Sequence, residues 1–171
     1  DVSWDAVGQA MARLLSAQAW AGPSAEGNPT LPGPMAVSDD IIQRMERVFT
    51  KVAVMRKMPA SAGFEAMPLS DTMGAGSGNC KDLTLLLLKG LAGAGVNARA
   101  VYRSSVVEDL GKGMPCPYVF DHVLACVPVA GGAWFLAPYT GTREFEAGIR
   151  ADQDVAISRD RLIVKMSFDQ K

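Results

Sequence analysis

Cysteine, histidine and any excess of one charge are scarce in this chain of 171 residues. Its three cysteines, Cys80, Cys116 and Cys126, form no CxxC pair, which argues against a disulfide framework or a structural zinc centre and leaves at least one thiol free. A metal site drawn from those thiols and the single histidine, His122, would have to close around unrelated spacings. No metal and no cofactor is therefore expected. Lys+Arg 17 against Asp+Glu 18 gives a net charge of -1, so no global positive field exists to hold a phosphate backbone or an anionic membrane, and nucleic acid is excluded as the expected partner. The leucine run Leu85–Leu88 falls far short of the ~20 apolar residues that a spanning helix needs, and no membrane span is expected. Internal repeats and low-complexity tracts are also missing. The first residue is Asp1 rather than Met, the pattern of a cut or processed form whose leader would no longer be visible.

What is present is an ordinary globular balance, 49% hydrophobic and 20% charged, enough for one domain over residues 1–171 with its own core. Trp4, Val7, Met11, Leu14 and Leu15 recur at helical spacing, and Ser38 with Asp39 and Asp40 reads as the cap of a second helix carrying Ile41, Ile42, Met45, Val48, Phe49 and Val52. N-terminal helices are thus predicted over about 2–58, interrupted by the Gly- and Pro-rich stretch 22–34. From 59 to 79 no period is sustained, and a loop is predicted. A buried helix follows over about 81–94, built on Leu83, Leu86, Leu87 and Leu91. Extended runs then occupy about 98–166, including a hairpin turning at Gly131-Gly132 and a last strand between Ile157 and Met166. Helices first and strands afterwards predict an α+β domain.

Cys80 falls where a glycine-rich approach, residues 74–78, meets the start of the buried helix. Unpaired N–H groups and the helix dipole at such a junction stabilise a thiolate, so this is the candidate nucleophile, with inert packing as the competing role. His122 opens a later strand, in phase with Leu124 and Cys126. A cysteine at a helix start and a histidine on a following strand is the order that thiol catalysis on a helix-plus-sheet scaffold uses. Asp82, two residues into the helix, is expected to cap its N–H groups. Met114-Pro115-Cys116-Pro117 reads as a loop bordering the cleft.

These segments together, Gly78-Asn79-Cys80-Lys81-Asp82, the leucine-rich helix, Gly95-Val96-Asn97-Ala98, Phe120-Asp121-His122-Val123 and Trp134-Phe135-Leu136-Ala137-Pro138, resemble the core of bacterial transglutaminase-like proteins. The resemblance implies a papain-like fold, with a Cys-bearing helix packed on an antiparallel sheet that presents the histidine. It also implies attack by the Cys80 thiolate on an amide of a peptide or protein substrate, through a thioester, with His122 as its acid–base partner. The likeness is to a subgroup that carries a β-rich N-terminal domain, an expected partner absent from this chain, and it implies export to the periplasm or cell envelope. Two departures stand out. Asn79 replaces the Asp that usually precedes the cysteine, and Ala137 stands where the family's third catalytic residue, usually Asp, would orient the histidine; Tyr139, Thr140 and Asp121 are the nearby residues that could orient it instead. A catalytically degenerate domain that binds peptide is the competing expectation.

Overall fold

The computed structural model describes residues 38–60, 65–103, 120–148, 154–157 and 163–166, the last two as backbone only. The expected helix over residues 2–20, the 22–34 stretch and Cys116 with its flanking prolines lie outside the described residues. Helix α1, Asp39–Ala53, starts where the sequence predicts: the Ser38 hydroxyl accepts from the Ile41 N–H at 3.3 Å, and Asp39 and Asp40 meet the positive end of the helix dipole. Met45, Phe49 and Val52 are buried on one stripe. A two-residue strand β1, Arg56–Lys57, follows directly.

The predicted loop contains more structure than its sequence suggests. Helix α2, Leu69–Ala75, ends at Gly76 in the left-handed region (φ 61) and leads into strand β2, Ser77–Gly78, which pairs in parallel with β1. Pro68 at the N-cap supplies no side-chain bond, and only Thr72 is buried. An uncapped helix of seven residues with one buried position leaves no periodicity to read.

Helix α3, Cys80–Gly93, is the buried helix expected over 81–94. Leu83, Leu87 and Leu91 pack with Met45, Phe49 and Val52 of α1 on one side and with Ala125, Val127 and Leu136 of the sheet on the other. The absent side chain of Gly90 lets the helices meet, since a Cβ there would stand 2.7 Å from Val48 Cγ1.

The sheet comprises β3, Arg99–Arg103; β4, His122–Val129; β5, Gly132–Ala137; β6, Thr142–Ala147; β7, Asp154–Ile157; and β8, Ile163–Met166. The strand order is β6-β5-β4-β3-β7-β8. Ala125 faces Leu136 and Val101 faces Leu124 in register. The hairpin turn at Gly131 (φ 87) is as predicted. Two details differ from expectation. The sheet is mixed, because β3 and β7 run in parallel, and the stretch 157–166 supplies parts of a β7–β8 hairpin in place of one strand. Strand β4 is apolar on both faces: Ala125, Val127 and Val129 meet the helices, while Leu124 and Cys126 join Val101, Ala133 and Phe135 in a second cluster on the reverse face. The architecture is α+β, with the cysteine-bearing helix packed on the central strands.

Candidate active site

The first turn of α3 is held by reciprocal capping. The Asn79 Oδ1 accepts from the N–H groups of Lys81 at 2.9 Å and Asp82 at 3.1 Å, and the Asp82 carboxylate accepts from the Asn79 N–H at 2.9 Å. Asn79 thus supplies the capping acceptor for the first turn of the helix. The second Asp82 oxygen accepts from the Met67 N–H at 2.7 Å, tying the segment before α2 to the helix start. Both Asn79 and Asp82 are buried. These bonds commit the N–H groups of Asn79, Lys81 and Asp82, and no described residue accepts from the N–H of Cys80. That donor is open at the place where an oxyanion next to the thiol would form.

Cys80 lies over the start of β4. Its Sγ is 4.0 Å from the Asp121 carbonyl oxygen, and one helical turn on, the Thr84 hydroxyl donates to the Val123 carbonyl at 2.9 Å. The thiol thus touches the backbone on either side of His122. Burial pushes its pKa above the ordinary 9.0, outweighing the Val123 N–H, the Lys81 ammonium and the Lys81 N–H, which pull it down. The helix terminus does act in the expected sense, but desolvation wins, and the resting group is a neutral thiol.

His122 is the first residue of β4, half-exposed, with Nε2 3.8 Å from an Asp121 carboxylate oxygen. Among the described residues there is no hydrogen bond between the imidazole and the Cys80 thiol. Asp121 is the acid beside the ring. Neither Tyr139 nor Thr140 takes that place: Tyr139 packs against the helix-side core, and the Thr140 hydroxyl is engaged with Thr142 and with the Ala137 carbonyl. Ala137 ends β5 on the face of Ala133 and Phe135, opposite Leu124 by continuation of the Ala125–Leu136 register and one diagonal step from His122. Cys126 is buried at 0% exposure in that same apolar cluster, a packing thiol.

Topology gathers these groups at one end of the sheet: the start of β4, the ends of β3 and β5, and the N-terminus of α3. Arg103, opposite His122 in the β3–β4 register, belongs there too, and sequence reasoning did not single it out. Only the register reveals it, since pairing across a long connection has no local signal. No group of three or more potential metal-binding side chains is present among the described residues, nor a helix long and apolar enough to cross a membrane.

No family model and no curated protein matches the chain. Among solved structures, a candidate protease from Parabacteroides distasonis ATCC 8503 is similar over 100% of this chain, with a TM-score of 0.50 and 10% sequence identity. The chain spans 32% of that protein's length. At this identity the likeness is one of fold, and what this chain shares with that protein is an arrangement of helices on a sheet.

Proposed function

We propose that this domain is a transglutaminase-like cysteine hydrolase or acyl transferase that acts on an amide, a peptide bond or a glutamine side chain, through a Cys80 thioester. One observation carries the reading: the only histidine of the chain opens the strand whose backbone the Cys80 thiol touches, at the capped start of a buried helix. The similarity in fold to a candidate protease supports it.

The chemistry follows from the groups at hand. Turnover requires the half-exposed His122 ring, whose Nε2 rests 3.8 Å from an Asp121 carboxylate oxygen, to rotate toward the thiol and take its proton. Sγ attacks the carbonyl carbon, and the oxyanion is met by the uncommitted Cys80 N–H, a donor worth on the order of 3 kcal/mol where such groups have been removed. The C–N bond breaks, His122 returns the proton to the departing amine, and the thioester passes its acyl group to water or to a second amine.

A second reading is a degenerate domain that binds peptide. The neutral buried thiol and the methyl group of Ala137 favour it. Incubation with a glutamine-containing peptide library, with and without a primary amine, separates the two. Ammonia or new peptide termini from the wild type, with none from Cys80→Ala, support the enzyme. Equal product from Cys80→Ala overturns the assignment of the nucleophile. Binding without product leaves the second reading standing.

A further inference from the structure

We infer that the open edge of β6 is a strand-addition surface for an extended segment of a partner protein in which an apolar residue stands between two basic ones. This does not depend on the reading of Cys80 as a nucleophile. Strand β6, Thr142–Ala147, stands at one end of the strand order, and among the described residues no strand lies beyond it. All of its residues except Glu146 are exposed. Where the β5–β6 ladder begins, the Gly148 N–H donates to the Gly131 carbonyl at 3.0 Å. Followed along the register from that bond, Glu146, Glu144 and Thr142 turn their N–H and C=O groups toward β5, while Ala147, Phe145 and Arg143 turn theirs to the open edge. An exposed edge of this length, without proline, is a template for another strand.

The two faces of β6 set what pairs there. Phe145 lies opposite Trp134 on the helix-facing side, with ring centroids 5.4 Å apart, and is 45% exposed. Arg143 on that side is engaged by Glu46 of α1. Glu144 and Glu146 lie opposite Phe135 and Ala133, on the reverse side. An added strand therefore sets one side chain beside the ring of Phe145 and the two flanking it beside carboxylates. The order basic, apolar, basic matches Glu144-Phe145-Glu146 in either strand direction. A second copy of β6 does not match. Antiparallel pairing about a two-fold axis keeps the faces in common, and registers centred on 143, 144, 145 and 146 set Arg143 against itself, Glu144 against itself, Glu144 against Glu146, and Glu146 against itself. Like charges directly opposite oppose pairing, so the residues that keep copies apart also select a basic partner.

The test uses the full chain and dansyl-labelled peptides with blocked ends, read by fluorescence anisotropy. The probes are Gly-Thr-Lys-Val-Lys-Thr-Gly, its counterpart with Glu in place of Lys, and two forms of the lysine peptide N-methylated at Val or at both Lys. At low ionic strength the lysine peptide should bind at least tenfold tighter than the glutamate peptide, and the gap should narrow as salt is added. Methylation reads the backbone apart from the charge. In an antiparallel pair the Val N–H donates to Phe145 and the lysine N–H groups point away, and in a parallel pair the roles exchange. One methylated form should therefore lose binding while the other keeps it, and which one survives gives the strand direction. Glu144→Lys combined with Glu146→Lys should turn the preference toward the glutamate peptide, with the melting temperature measured alongside. Equal affinity for the lysine and glutamate peptides, equal binding of the two methylated forms, or a lysine preference that outlasts the double reversal would each overturn the proposal. If the double variant does not fold, the methylated pair decides on the wild type alone.

Discussion

Replacing Asp82 by alanine removes the acceptor for two backbone donors at once, and the cost can be worked from the contacts. The side chain is 2% exposed and accepts from the Met67 N–H at 2.7 Å and the Asn79 N–H at 2.9 Å. Each buried donor left without a partner costs about 1–3 kcal/mol, so Asp82→Ala should destabilise the domain by about 4 kcal/mol. Asp82→Asn keeps the volume and one carbonyl acceptor but turns an N–H toward the other donor, so about half that loss is expected. Urea unfolding followed by tryptophan fluorescence and far-UV circular dichroism gives the numbers. With a slope of about 1.5 kcal/mol/M, the midpoint should fall by roughly 2.5 M for alanine and by roughly 1.3 M for asparagine. Any Cys80-dependent acyl chemistry should be lost in the same variants below the concentrations that unfold the protein, since the clamp sets the first turn of α3. A midpoint for Asp82→Ala within about 0.3 M of wild type, or no lower than that of Asp82→Asn, would refute the reasoning, because it would mean that neither donor depends on the carboxylate.

Burial raises the pKa of both Cys80 and Tyr102. The unfolded chain then releases these protons first as pH rises, so their contribution is complete below the ordinary thiol value of 9.0 and is lost as pH climbs through the folded values. Urea midpoints should fall between about pH 8 and pH 10.5, and less steeply in Cys80→Ala; a flat profile would contradict the burial of both groups. Gly132→Ala should lower the melting temperature by several degrees, because its Cβ would stand 2.1 Å from the Glu146 carbonyl oxygen across the β5–β6 pair, and overpacking against backbone costs on the order of 1–3 kcal/mol. Asp121→Asn should slow any Cys80-dependent turnover. Ala137→Asp, placed on the same face one diagonal from His122, should restore turnover to that variant and raise it at least tenfold in the wild type if the orienting acid is limiting, within the ~10⁴ that such an acid is worth in a serine protease. Steady-state rates of the four combinations decide this, and no rescue would show that position 137 does not reach the ring.

Local signals carried the elements that have them. The Ser38 cap and the Met45, Phe49, Val52 stripe located α1, and the leucine spacing located α3 to within one residue. The Gly131 turn located the β4–β5 hairpin. Helix α2 escaped because Pro68 gives no capping side chain and a single buried residue gives no period. The β1–β2 and β3–β7 parallel pairings escaped because partners 20 or more residues apart leave no mark in either segment. Of the candidate site, the place of Cys80 at a helix start, the capping role of Asp82 and the place of His122 at the opening of a strand were legible. The balance between helix dipole and desolvation at Cys80 was not, since it depends on how much of the β4 backbone covers the thiol. Arg103 became visible only through the register that sets it opposite His122.

Strand β4 is sandwiched by apolar layers on both faces and hydrogen-bonded on both edges, by β3 and by β5. Its amides can meet solvent only when the whole sheet opens, so hydrogen exchange along Val123–Val127 should report the global unfolding free energy. The histidine is thus mounted on the strand that, among the described residues, is covered on both faces and paired on both edges. Among the described residues, motion at this end of the sheet is left to side chains such as His122 and to the segments around α2. The strand beneath them serves as a fixed anvil.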